Sequence, residues 1–172
     1  MSVRIIAVLA AASLALTACG SGDDKAAAKP ETTTPAAAAA NKAPLTITDP
    51  WVKTADKGMS AAFGTLVNTT GAEVTIASGT TPASPKVELH EVTGTGGNMK
   101  MRPMAGGFVL PPHGKLELKP GGFHIMLMDV TRPIRPGDQV TFTLTLKGGG
   151  TFAFTALGKA FKGGNEKYKP GH

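Results

Sequence analysis

The chain has 172 residues, 41% of them apolar and 17% charged, which fits one ordinary domain with extensions and excludes wholesale disorder. Its 22 glycines and 13 prolines suit short strands and turns better than helices, and a single cysteine excludes an internal disulfide and cysteine-based zinc or iron–sulfur sites. The formal net charge is +6, but without the lysine-rich end beyond Lys159 the folded part is nearly balanced, so no nucleic-acid footprint is expected.

The amino terminus carries Arg4 and then an apolar run from Ile5 to Ala18. Such a run is short for a bilayer span, which needs about 20 residues, and long enough for the core of a signal peptide. Leu16-Thr17-Ala18-Cys19 resembles the lipobox of bacterial lipoproteins. The resemblance implies a signal over residues 1–18 that is removed and a Cys19 that is acylated. An acylated Cys19 holds the mature protein to an extracytoplasmic membrane face through lipid, with no spanning helix. Residues 19–44 continue with Ala, Thr, Pro, Gly and charge, without aromatic or β-branched apolar residues, and are expected to form a solvated tether.

From residue 45 the apolar pattern has a period of two, which predicts strands. Leu45–Thr48 alternates; Ala62–Asn68 reads as a strand ending at the turn Asn68-Thr-Thr-Gly71; Val74–Ile76 and Val87–Val92 follow. A Gly-rich turn precedes Met99–Met101, Phe108–Leu110 stops at Pro111-Pro112, and Lys115–Leu118 stops at Pro120-Gly-Gly. Phe123–Val130 is nearly all apolar, as a buried central strand is. Val140–Leu146 alternates cleanly and turns through Lys147-Gly-Gly-Gly150 into Thr151–Phe154. No window carries a helical stripe. Eight to nine strands with frequent turns predict an all-β fold, an antiparallel β-sandwich or barrel over residues 45–158. The Gly- and Lys-rich tail, residues 159–172, is expected to fray from Phe161 onward.

The unusual residues cluster: three of the four histidines lie between positions 90 and 124, beside five methionines between Met99 and Met128. Strand phase puts Glu88 and His90 on one face with Val87 and Leu89 on the other. It likewise puts His124, Met126 and Met128 opposite Phe123, Ile125 and Leu127, and Met99 with Met101. Same-face neighbours on a strand stand ~6.5–7 Å apart, close enough for a His and a flexible Met to lean onto one ion. Imidazole with thioether, with no thiolate or carboxylate available nearby, is a soft neutral field. It disfavours Ca²⁺ and Mg²⁺, offers Zn²⁺ little, and suits Cu(I). A thioether also releases no proton on binding and is not lost to disulfide formation. Taken singly, a strand His is more often structural and a strand Met more often core filler.

The order of these residues resembles the PCuAC family of periplasmic copper chaperones. His90, ten residues, Met101, then Pro120-Gly-Gly-Phe-His124-Ile-Met126-Leu matches that family's pattern of His-x10-Met-x21-His-x-Met. Asp49-Pro-Trp51, Val87-Glu-Leu-His-Glu91 and Met101-Arg-Pro103 agree with it, so the resemblance runs from Leu45 to Phe154. It implies a cupredoxin-like Greek-key sandwich and copper ligands at His90, Met101, His124 and Met126. One departure stands out: 22 residues separate Met101 from His124, one more than the pattern. An extra residue at Gly106-Gly107 accounts for it; alternatively Met99 or Met104 replaces Met101. Met128 is a spare ligand or packing, His113 faces solvent in a Pro-Pro-His-Gly turn, and His172 is thin support for a metal-binding tail.

These readings imply a monomeric, non-catalytic Cu(I)-binding lipoprotein. Its partners would be the membrane, through the lipid anchor, and an apo copper protein or respiratory oxidase subunit that receives the metal. The competing expectation is a metal-free structural or adhesion lipoprotein whose methionines are core. A blue-copper carrier needs a His₂Cys set, and the only cysteine lies at the lipid-attachment position.

Overall fold

Alternating burial builds eleven strands and no α-helix in the computed structural model, which describes residues 43–94 and 98–163 and the backbone of residues 167–168. The signal, Cys19, the tether up to residue 42 and His172 lie outside the described residues. The strands begin with β1 (Leu45–Lys53), β2 (Gly58–Asn68), β3 (Val74–Thr80) and β4 (Val87–Thr93). β5 (Lys100–Pro103), β6 (Phe108–Leu110) and β7 (Lys115–Leu118) are short. β8 (His124–Val130), β9 (Gln139–Leu146), β10 (Thr151–Lys159) and β11 (Lys167–Tyr168) follow. The count exceeds the expected eight to nine because even three-residue apolar segments find a ladder and the tail contributes β11.

β9 and β10 show the expected alternation in full, each second residue buried and its neighbours turned to solvent. Such strands have one face on the core and one in water. β8 differs: His124 to Leu127 are all buried, because both of its faces are covered. Hydrogen bonding follows the path β11-β5-β4-β8-β2-β1-β10-β9-β3-β6, with β7 joining β2 beside β8. β1 and β10 pair in parallel, as do β11 and β5; the other pairs are antiparallel.

The path folds over one main core. Leu89, Ile125, Leu127, Ala62, Leu66 and Val52 from one half meet Ile76, Phe142, Leu144, Phe154 and Ala156 from the other. Phe142 and Phe154 stack at 5.2 Å between ring centroids. A second, smaller cluster of Ala61, Phe63, Met101 and Met126, flanked by Trp51, Val92 and Met128, covers the opposite face of β5-β4-β8-β2-β1. The fold is therefore the expected all-β one, with an added apolar layer on the outer face of the central strands.

The tail departs from the expected fraying. Phe161 meets Trp51 edge-on at 5.5 Å, and Lys53 Nζ donates to the Gly163 carbonyl at 2.8 Å. An aromatic ring in an otherwise polar tail finds apolar surface on the second cluster, which ties down the residues beside it.

The loop from β5 to β6 carries Gly106 and Gly107, and the two glycines differ. Gly106 has open space where a Cβ would sit; Gly107 has φ 77° and its Cβ would drive into the Ile76 carbonyl. Gly106→Ala is expected to shift the urea unfolding midpoint little. Gly107→Ala is expected to cost about 1–3 kcal/mol, the range for a residue forced into a disfavoured backbone region; equal midpoints for the two variants would contradict this reading.

Candidate metal centre

The site face is set by cross-strand register. His90 of β4 lies directly opposite His124 of β8, and Glu88 lies opposite Met126. On the outer edge Val92 pairs with Met101 of β5, so Met101 stands diagonal to His90 on the same face. On the inner side Ala61 of β2 pairs with Met126. Three adjacent strands, β5, β4 and β8, thus present His90, Met101, His124 and Met126 on one face, while Leu89, Ile125 and Leu127 point into the main core. The imidazoles of His90 and His124 meet edge-to-face at 5.4 Å between centroids.

A cavity of about 370 Å³ opens on this face. His124, Met101 and Met126 line it, and the small Ala61 opposite Met126 leaves it room. Lys53, Met59 and the Pro120-Gly121 turn help form the rest of its wall. His90 does not reach the cavity wall; it is fully buried beside His124. Among the described residues no group of three or more His, Cys, Asp or Glu could hold a metal ion. A metal site built from the described residues on this face would have to draw on the thioethers.

Both histidines are held in defined tautomers. His124 Nδ1 stands 3.0 Å from the Gly122 carbonyl, which can only accept, so Nδ1–H donates and the Nε2 lone pair is presented. His90 Nε2 stands 2.7 Å from Glu88 Oε2. Burial pushes the Glu88 carboxyl up, but hydrogen bonds from Lys86, at 2.6 Å, and from His90 outweigh it and hold the group below its usual range. Glu88 is therefore ionised at neutral pH and accepts from His90 Nε2–H, which places the His90 lone pair on Nδ1. Burial holds the His90 imidazole below its usual range despite the Glu88 carboxylate, which pulls it up. It is thus neutral, as a metal-ligating histidine must be. A carboxylate beside the site corrects the expectation that none is available: Glu88 shares the His90 face, but as a partner that orients the ring.

The substitute ligands sort out by position. Met104 packs against the main core, which removes it from this face. Met99 lies in the turn before β5 and outside the cavity wall. Met128 packs on the second cluster without lining the cavity. His113 is exposed in its turn with φ 54°. Met59, half exposed at the cavity, is absent from the sequence reading because the β2 pattern is legible only from Ala62 onward; Met59-Ser-Ala-Ala-Phe63 does continue the alternation.

The model of the family described as "Putative lipoprotein LpqE-like" matches residues 45–157. A curated relative, "Putative lipoprotein Lxx21020" of Leifsonia xyli subsp. xyli (strain CTCB07), is 36% identical over 125 residues, covering 73% of this chain and 75% of the relative. The solution structure of CuI-DR1885 from Deinococcus radiodurans is similar at 30% identity and a TM-score of 0.52, over 79% of this chain and 93% of that one. The copper-bound PCuAC domain from PmoF2 shares the fold at 19% identity and a TM-score of 0.56, over 69% of this chain and 94% of that one. The matching family model is thus the LpqE-like one, while PCuAC domains are neighbours in structure.

Nitrogen NMR of the metal-free protein is expected to find the His90 proton on Nε2 and the His124 proton on Nδ1. The opposite assignment at either ring would refute the orienting roles of Glu88 and Gly122. His90 and Glu88 both titrate lower when folded, so in acid the unfolded chain binds more protons. Thermal stability is accordingly expected to fall as pH drops below about 6.5, first through His90 and then through Glu88; a flat profile from pH 7 to 4 would contradict this.

Proposed function

The chain belongs to the LpqE-like lipoprotein family, and we propose that it is an extracytoplasmic Cu(I) chaperone held to the membrane through Cys19. The observation that carries this reading is the placement of two tautomer-fixed imidazoles and two thioethers on one face of three adjacent strands. Its proposed ligands are His90 through Nδ1, His124 through Nε2, and the sulfurs of Met101 and Met126. The solved copper-bound neighbours support copper as the cargo.

The donor set explains the choice of ion and the transfer. All four ligands are neutral, so the occupied site carries only the +1 of the ion, and no proton is released on loading. Soft thioethers select Cu(I) over the harder ions that compete outside the cytoplasm. The Glu88 carboxylate, one hydrogen bond behind His90, balances part of that charge without entering the ligand set. Hand-over is ligand exchange without redox change: the acceptor's donors replace the weakly held thioethers first and the imidazoles last. The proposed acceptor is the copper centre of a respiratory oxidase, reached by a monomer on its lipid tether. The protein carries out no covalent chemistry on its cargo.

Competition against a Cu(I) chelator tests the reading. The wild-type chain is expected to take up one Cu(I), His124→Ala to lose about 100-fold or more in affinity, and Met101→Ala to lose less, about 10-fold. These correspond to about 2.7 and 1.4 kcal/mol. Absence of Cu(I) uptake would instead favour a metal-free lipoprotein whose methionines are core, and a reversed order of the two losses would overturn the ranking of the ligands.

A further inference from the structure

The four proposed ligands are all nearly or fully buried: Met101 is 5% exposed, Met126 and His124 4%, and His90 0%. An ion held only by these groups is reached by an acceptor solely through the cavity that His124, Met101 and Met126 line. The same cavity carries one more soft donor. Met59 of β2 is 48% exposed and lines the wall with Met101, Met126 and His124. It shares the site face with Ala61, two residues on along the strand.

A thioether in this position is not explained by packing. Among the described residues it is one of four large apolar side chains left exposed, and the only one of them that lines this cavity. The ladder breaks at this point: Gly58 pairs with Val130 and Ser60 with Leu127, so Met59 faces two residues of β8, Met128 and Asp129. An irregularity of this kind re-aims side chains beside functional sites. The charged rim residue, Lys53, turns its ammonium to the Gly163 carbonyl. Lys53 is a cation and cannot ligate copper, which leaves Met59 as the exposed soft donor of the wall.

Resting on the copper reading above, we propose that Met59 is the transfer ligand of the site. It binds Cu(I) transiently at the mouth, receiving it from an outside donor and passing it to the imidazoles of His124 and His90, with the thioethers of Met101 and Met126 closing the set last. Release runs in reverse. At each step one copper–sulfur or copper–nitrogen bond forms as another donor leaves, the ion stays Cu(I), and no proton moves. Because Met59 stabilises the state between the buried set and the acceptor, it speeds both directions equally and leaves the equilibrium affinity unchanged.

The test compares full-length wild type, Met59→Leu, which keeps bulk and removes sulfur, and Met128→Leu as a control on the same face. Each is loaded anaerobically with Cu(I), then mixed with excess bathocuproine disulfonate, and release is followed by absorbance in a stopped-flow instrument. Met59→Leu is expected to bind Cu(I) within about twofold of wild type and to release it at least fivefold more slowly, with Met128→Leu unchanged. The Met59 ε-methyl resonance is expected to shift when Cu(I) is added in slight excess. A release rate equal to wild type overturns the proposal, and so does an affinity loss of about 10-fold, the loss expected for Met101→Ala, which would make Met59 a resident ligand. Failure of the wild type to bind Cu(I) at all would instead be failure of the copper reading.

Discussion

Everything at the candidate site depends on the register between β4 and β8. Because side chains alternate along a strand, burying Leu89, Ile125 and Leu127 in the main core forces His90, His124 and Met126 to the other face. A one-residue slip would send the imidazoles into the main core and the leucines outward. The large apolar area in the core therefore fixes the position of the small polar set, and the site needs little interaction energy of its own to stay assembled. The residues that hold the register are the ones a reader of the site alone would overlook.

The second face is what separates this sandwich from a simple two-sided one. A strand covered on one face leaves its outward residues in water, as β9 and β10 do. β8 instead buries both faces, and the outer layer of Trp51, Phe63, Met101 and Met126 keeps water from His90 and leaves His124 only the cavity. Exclusion of water keeps His90 neutral and strengthens its hydrogen bond to Glu88. It also lowers the local dielectric in which a bound cation would feel the Glu88 carboxylate. The same layer leaves the cavity mouth as the route to the proposed ligands, where a chaperone on this plan gains from an exposed donor. Affinity and transfer thus make opposite demands, met by different residues of one cavity wall.

Much of this was legible in the sequence. Alternation marks the strands, the unbroken apolar run Phe123–Val130 marks the strand buried on both sides, and strand phase puts His124 and Met126 on one face and Leu127 on the other. The pairing of His90 with His124 was not legible, because register between strands more than thirty residues apart depends on the whole core and not on either segment. The role of Glu88 was half legible: its phase with His90 is visible, but whether a carboxylate two residues away ligates, orients or merely faces water is decided by rotamers and burial. Met59 was missed because the small residues Ser60, Ala61 and Ala62 weaken the apolar pattern between it and Phe63. The tail was misjudged at Phe161, where one aromatic ring outweighs the Gly- and Lys-rich composition around it.

The central claim is that two imidazoles and two thioethers share one cuprous ion on the outer face of β5, β4, β8 and β2. X-ray absorption at the copper edge on the Cu(I)-loaded wild-type chain tests it most directly, since it counts nitrogen and sulfur neighbours without reference to transfer or partners. The account predicts two nitrogen and two sulfur neighbours, with one sulfur lost in Met126→Leu. A first shell of nitrogen and oxygen alone, unchanged by that substitution, would contradict it.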